Sequence, residues 1–330
     1  MEFTETCSIL AGAPGPDGTA LVTVMNDGLA EERREHALPL LYQDGAWVTL
    51  NQEPVLPWLT AGIALADRSS GKFVIVGWAG QVLVVDGQES RREAIRRAGD
   101  HLSIVRSAAM VEDAVYAVGM RRQVHTRAGN GRWDAIDDGV AYVGDDPAVG
   151  FNAVDGFGEN EIYCVGLNGD VWRREEGEWR QSAVPSNVHL HSVCCALDGH
   201  VYVGGRSGLL VRGRRDSWTV VDLETDETVW DLHWFGDGLY ALLDDGIFMV
   251  TDAGARPVEN DVIRRGDFLK LSSREGALWV FGRKQILRND GSTWTEIDCS
   301  LRPEIEDADV RSFFDDSVLV NGSAYLEETE

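Results

Sequence analysis

Basic side chains are scarce in this chain: 30 Lys and Arg stand against 55 Asp and Glu, a formal net charge of −25. Nucleic acids and anionic membranes are held by clustered Lys and Arg, so this balance argues against both as partners. Cysteine is scarce too, and the five positions Cys7, Cys164, Cys194, Cys195 and Cys299 contain no C-x-x-C spacing. An odd count, with Cys164 inside an apolar run, reads as reduced, buried thiols in a cytoplasmic protein. The vicinal Cys194 and Cys195 point to opposite faces of a strand, which does not suit a disulfide. No signal peptide is evident, because MEFTETCSILAG lacks a basic region and a long apolar core. The longest apolar stretch, 73–85, is too short to span a bilayer and is broken by Gly and Gln. Helical periodicity is nearly absent; the best candidate is the short segment 90–98, SRREAIRRA.

What is abundant is a repeated phrase. The segment 161–180, EIYCVGLNGDVWRREEGEWR, recurs at 114–133, 200–218 and 277–294, with weaker copies at 72–87, 238–254, 317–328 and 20–47. Aligned apolar runs begin at Phe73, Val115, Ile162, Val201, Leu239, Leu278 and Val318, in steps of 42, 47, 39, 38, 39 and 40 residues. A period near 40 made of short β-rich runs marks propeller blades and not helical solenoid repeats. Gly after Asn168, Asp198, Asp245 and Asp290 supplies the hairpin turns. One unit divides into four strands at 189–196, 200–204, 209–212 and 218–221. A Trp opens the fourth strand at Trp133, Trp179, Trp218 and Trp294, where a large ring seals the space between blades. The expected fold is all-β: a single propeller domain over 1–330, built of four-stranded blades. Hairpin counting gives eight blades, with seven as the alternative. The N-terminal FTET would complete the last blade, so that the two terminal strands close the ring and no sheet edge is left open.

The phrase VYAVG-x-x-G-x-V-x-R-x-x-G-x-W resembles bacterial propeller repeats of the photosystem II assembly-factor type and broader WD-like repeats. The likeness covers most of the chain, although Trp133-Asp134 and Trp230-Asp231 stand outside a WD-repeat frame and no Gly-His partner is present. Such families act mostly as binding platforms. Some acidic, cytoplasmic members resemble immunity proteins that neutralise toxins exchanged between bacteria, an implication carried by analogy.

A catalytic set is missing. No G-x-S-x-G, G-x-G-x-x-G or P-loop occurs, and the Ser of GGRSG (204–208) lies in a hairpin turn. His189 and His191 alternate along a strand as a possible metal pair, but the nearest third imidazole, His233, aligns about 13 Å below. Asn152, Asp155 and Asp231 are too few to build the channel cation site of a propeller hydrolase or lactonase. No metal and no cofactor are expected.

Long loops on a rigid scaffold are where binding lives. The loops joining the fourth strand of one blade to the first strand of the next share a face with the turns joining second to third strands. On that face the sequence offers Asp137, Asp138, Asp145 and Asp146 in one loop and Glu224, Asp226 and Glu227 in another, with Trp58, Phe151, His189, Trp230 and Asp231 near the channel mouth. Aromatics ringed by carboxylates suit capture of a basic protein. The short turns of this face carry Arg121, Arg122, Arg206, Arg283 and Lys284, which local pairing with those acids would neutralise. The expected function is therefore a non-enzymatic inhibitor of a basic bacterial toxin, cytoplasmic and monomeric outside the complex. A propeller-class metal-dependent hydrolase and an assembly scaffold are the alternatives. The opposite face, around Asp198, Asp237 and Asp315, is the competing binding surface.

Overall fold

The computed structural model describes residues 2–51, 55–96, 102–144, 146–244, 246–251, 254–264 and 266–302. β-Branched and aromatic runs joined by short Gly-containing turns fold back on themselves as antiparallel ladders. Here they do so seven times. Blade 1 is Cys7–Pro14, Ala20–Asn26, Leu38–Gln43 and Ala46–Thr49; blade 2 is Thr60–Leu65, Phe73–Gly77, Gln81–Asp86 and Glu89–Ala94. Blade 3 is Val105–Val111, Ala114–Gly119, Val124–Arg127 and Trp133–Ala135; blade 4 is Phe151–Gly158, Glu161–Gly166, Val171–Glu175 and Glu178–Gln181. Blade 5 is Leu190–Cys195, Val201–Gly205, Leu210–Arg214 and Ser217–Val221; blade 6 is Asp231–Phe235, Gly238–Leu243, Gly246–Thr251 and Gly254–Pro257. Blade 7 is Phe268–Arg274, Ala277–Gly282, Ile286–Asn289 and Trp294–Glu296. Within each sheet the four strands, called a to d, lie in sequence order.

Strand a of each blade touches strand a of the next, and blade 7 meets blade 1. Ile9 N donates to Arg283 O at 3.0 Å across that last seam. The same bond runs from Val105 N to Trp78 O (2.8 Å) and from Val229 N to Gly205 O (2.9 Å) inside the ring. Closure therefore uses the contact that also joins blades 2 and 3 and blades 5 and 6. The core is divided in the same way, into a buried apolar cluster at each blade-to-blade seam. At the closing seam Phe3, Ile9, Val22, Leu38 and Trp47 pack with Trp279, Phe281 and Leu301. Trp47 is fully buried, stands edge-on to Phe3 at 5.5 Å and donates its indole N–H to Asp298 O at 2.9 Å.

Three expectations are corrected. The blade count is seven and not eight: the weak first copy is a regular four-stranded blade, and the ring is already closed by the strand at 268–274. The FTET segment forms a 3-10 turn, Phe3–Glu5, and not a fourth strand; the adjacent Glu2 bridges Ser300, and Phe3 N donates to Cys299 O. The hairpin at 317–328 lies outside the described residues. The helical candidate at 90–98 is occupied through Ala94 by strand d of blade 2, an outer edge on which Arg91 and Arg92 are exposed and Glu93 turns in to pair with Arg127. The short α-helix found instead is Asp27–Glu31, with the Asn26 side chain accepting from Leu29 N.

Crowding is greatest where strand a begins beside the end of strand b. A Cβ on Gly166 would collide with the Gly150 carbonyl oxygen, and one on Gly119 with the Ile104 carbonyl oxygen. Strand a yields at the same point with a one-residue bulge in six blades, at Leu10, Ala61, Arg106, Asn152, His191 and Leu269. In blade 6 Trp230 stands there, directly before the ladder that begins at Asp231. Gly166→Ala should cost roughly 3 kcal/mol in urea unfolding, because backbone must move on both sides. Gly129→Ala, whose Cβ meets nothing, should stay within about 0.5 kcal/mol of the parent. Equal midpoints for the two variants would contradict this account of the seam.

Candidate functional site

Arg121 N donates to Val149 O (2.8 Å), Gly169 N to Val188 O (2.7 Å) and Gly208 N to Glu227 O (3.0 Å). These bonds tie the b–c turns to the loops between blades, so both sets form one face, as expected. The channel opens at its centre. Bulges re-aim side chains, and in six blades they set one residue at the mouth, with Trp230 at the corresponding place in blade 6. The ring runs Leu10, Ala61, Arg106, Asn152, His191, Trp230 and Leu269. Asn152 Nδ2 donates to Leu190 O of blade 5 at 2.7 Å, and the His191 ring lies 4.7 Å from the Trp230 ring of blade 6.

The expected site residues divide. Trp230 is 44 % exposed, its indole N–H donating to Asp244 Oδ1 at 2.7 Å. Asp138, Asp146, Glu224 and Asp226 are exposed, and His189 and Glu227 half-buried. Trp58 and Phe151 are buried and cannot present their rings: Trp58 packs beneath Gly77, and Phe151 stacks on Trp179 at 6.4 Å. Asp137 is buried as well and turns inward, Oδ2 accepting from Val124 N at 3.4 Å. Asp231 is buried in the channel wall, its carboxylate taken by Lys270 Nζ (3.1 Å) and Leu271 N (2.7 Å). Asp145, the acidic segment 304–309 and Asp315 lie outside the described residues. His189 and His191 do not alternate along one regular strand. His189 precedes the strand and accepts from Asn168 N at 3.1 Å, whereas His191 is a bulge residue. His233 meets Ser273 Oγ at 2.8 Å.

The structure adds residues that sequence did not single out. Trp78 is 48 % exposed, Ile104 52 % and Val143 90 %, all on this face. Trp78 and Ile104 adjoin across the seam of blades 2 and 3, where Val105 N bonds Trp78 O. Trp78 carried a signal, a large ring directly after the fully buried strand FVIVG; Ile104 and Val143 carried none. Three of the five basic turn residues are paired, but with acids other than the loop acids expected. Arg122 forks Asp170 at 2.5 and 3.0 Å while its guanidinium lies 5.1 Å from the Trp172 ring. Arg283 reaches Asp267 at 3.6 Å, and Lys284 reaches Asp27 at 2.6 Å. Arg106, Arg121 and Arg206 have no carboxylate within ion-pair range among the described residues. A cavity of about 610 Å³ opens on the opposite face, but Lys72 and Arg127 on its wall are held by Asp86 (2.7 Å) and Glu93 (2.8 Å).

Deeper in the channel, first strands are stitched by side chains. Asp155 Oδ2 accepts from Cys195 N at 2.7 Å, as Asp231 does from Leu271 N. Burial pushes the Asp155 carboxyl up to about 6, against the hydrogen bonds from Cys195 N and Gly156 N and the charge of Lys270; Asp231 adds to the rise. Burial opposes charge on Lys270, but Asp231 holds it above the ordinary lysine range. Burial and Lys270 bring His233 down to about 4. The wall holds one ion pair and a carboxyl that ionises reluctantly. No group of three or more potential metal ligands occurs among the described residues.

No family model matches the chain. It is 30 % identical over 285 residues to the immune protein Tsi7 of Pseudomonas aeruginosa, covering 84 % of this chain and 93 % of that one. Among solved structures, a catalytically inactive virginiamycin B lyase from Staphylococcus aureus with quinupristin superposes with a TM-score of 0.65 at 9 % identity, covering 87 % of this chain and 96 % of that one. YCF48 bound to D1 peptide superposes with a TM-score of 0.52 at 16 % identity, over 71 % of this chain and 79 % of that one. At such identities the two structures share the fold alone.

Asp155 generates a stability prediction. Its folded pKa is raised from 3.8 to about 6, so the folded state holds the proton more tightly than the unfolded chain. Stability from this group is complete below pH ~4 and is lost as pH rises through about 6. Asp155→Asn should remove that loss and gain on the parent by on the order of 2 kcal/mol between pH 4 and 7, read as urea midpoints. A difference that does not change over that range would show that Asp155 ionises freely.

Proposed function

The chain belongs to the family of the immune protein Tsi7, and from that premise we propose that it is an immunity protein that binds and neutralises a basic bacterial toxin in the cytoplasm, without catalysis. The observation that carries this reading is the composition of the channel-mouth face. Trp230, Trp78, Ile104 and Val143 are exposed there among Asp138, Asp146, Glu224, Asp226 and Asp244. Exposed aromatic and aliphatic anchors within a charged rim are the anatomy of a protein interface. The net charge of −25 favours a basic partner and speeds its approach. The bound D1 peptide of YCF48 shows that a propeller of similar fold takes up polypeptide; here that supports a binding role. Among the described residues, the paired cations of the opposite cavity and the ion-paired channel wall offer no comparable set for a hydrolase.

The test uses the strongly basic toxin domain encoded nearest to this chain's gene, with binding kinetics followed at several salt concentrations. Charge reversal at Asp138, Asp146 and Asp226 should slow association and lessen its salt dependence. Trp230→Ala should chiefly speed dissociation and cost roughly 2 kcal/mol. None of these residues supports a blade core, so folding should be retained. If all four changes leave affinity intact, the interface lies on the other face, where Asp198, Asp237 and the exposed Leu197 stand.

A further inference from the structure

Arginine without a carboxylate partner is the anomaly of this surface. Acids outnumber bases by 55 to 30, and the neighbouring cations Arg122, Arg283 and Lys284 are paired with carboxylates. Arg106, on the bulge of blade 3, and Arg206, on the b–c turn of blade 5, are exposed and have no such partner among the described residues. They flank blade 4 at the channel mouth, and both act on the charge of His191, whose imidazole burial and these arginines hold at about 4. Between them stand two buried polar atoms without a partner, His191 Nε2 and Asn152 Oδ1. Asn152 is held in place by its amide bond to Leu190 O, and His191 by the Trp230 ring.

The mouth is thus two-sided. Leu269, Leu10 and Ala61 form an apolar arc, and Arg106, Asn152, His191 and Trp230 a polar one. The polar arc offers two exposed guanidinium groups without an acid partner among the described residues, and an anionic group is the ligand that would match them.

We propose that this mouth is a carboxylate-recognition site, which takes an acidic side chain at the tip of a protruding loop of the protein partner. The carboxylate meets the exposed guanidinium groups of Arg106 and Arg206, and the flanking apolar side chains rest on Leu10 and Leu269. Guanidinium groups suit this task, because they fork planar anions with charge-assisted hydrogen bonds. The site deepens the immunity reading and rests on it for the presence of a protein at this face. The acidic rim steers a basic partner, and the mouth fixes its register by demanding one negative charge at the centre. A partner surface that is basic throughout would leave both arginines opposed by like charge, a form of specificity by exclusion.

The experiment uses the full chain and N-acetyl-aspartate N′-methylamide as probe. Nuclear magnetic resonance follows the Trp230 indole N–H and the His191 imidazole. A saturable shift of both signals is expected, together with a rise of the His191 titration midpoint as the bound anion offsets the arginine field. Binding should weaken about tenfold in Arg106→Gln and again in Arg206→Gln, while Arg121→Gln binds as the parent does. The asparagine and lysine analogues should give no saturable shift. The proposal is overturned by an equal response to the asparagine analogue, by a response that survives in the double variant, or by no shift at all. N-acetylglycine binding more tightly than the aspartate probe would replace the side chain with a chain terminus. Loss of toxin binding in Trp230→Ala beside a silent probe would sink this site and leave the immunity reading standing.

Discussion

Seven first strands cannot surround one axis at backbone distance unless something gives way, and here the concession is local. The end of strand b is reduced to glycine at Gly77, Gly119, Gly166, Gly205 and Gly282, and the start of strand a bulges by one residue in six blades. Close approach at this point lets one blade's first strand bond the previous blade's turn, which closes the ring without a terminal strand. The same bulge lifts one side chain out of the ladder and toward the mouth in each of those six blades. Closure and the functional face are therefore two results of one steric constraint. A change that relieves the crowding would loosen the seam and also re-aim the mouth.

Electrostatics works on that frame at two depths. In the channel, neighbouring first strands have few main-chain bonds to offer one another, and Asn152, Asp155, Asp231 and His233 bridge them through side chains. Burial sets the cost: Asp155 ionises late, and Asp231 lies 3.1 Å from Lys270 Nζ. At the rim, water screens each charge and the loops keep their carboxylates free. Most basic turns are cancelled by a neighbouring acid, so the face is acidic at its edge, near neutral in its turns and positive at its centre. Such a pattern steers over a distance and discriminates on contact.

The repeat phrase was enough to place the strands of the clearest unit within one or two residues: 189–196 became Leu190–Cys195, and 218–221 became Ser217–Val221. Alternation, Gly-bearing turns and the period near 40 are local properties, and they survive in the fold because each blade is a local hairpin stack. The count failed at the ends. A hairpin phrase looks the same whether or not it is a blade, and only the meeting of Phe268–Arg274 with Cys7–Pro14 shows that the ring is full at seven. The failure at the edge strand Glu89–Ala94 has a related cause: its charged residues carry no apolar period to distinguish strand from helix, and the burial of Glu93 comes from Arg127 of the next blade.

The candidate site was legible in kind and not in detail. Loops rich in Asp and Glu, a Trp before a strand and short basic turns are visible in the chain, and their gathering on one face follows from the order of strands. Which of those residues reach solvent does not. Asp137 and Asp138 are neighbours in sequence, yet one turns inward to Val124 N and the other outward. Phe151 begins strand a of blade 4 and Trp230 directly precedes that of blade 6, yet one fills a seam and the other stands on the mouth. The sequence by itself determined the strand pattern, the blade unit, the acidic balance and the absence of a recognisable catalytic motif, since these depend on composition and near neighbours. Only the tertiary structure decided the number of blades, the arginines left unpaired and the residues that ring the channel. Each of those depends on the distance between chain segments some 40 residues apart, which is fixed when seven sheets crowd about one axis.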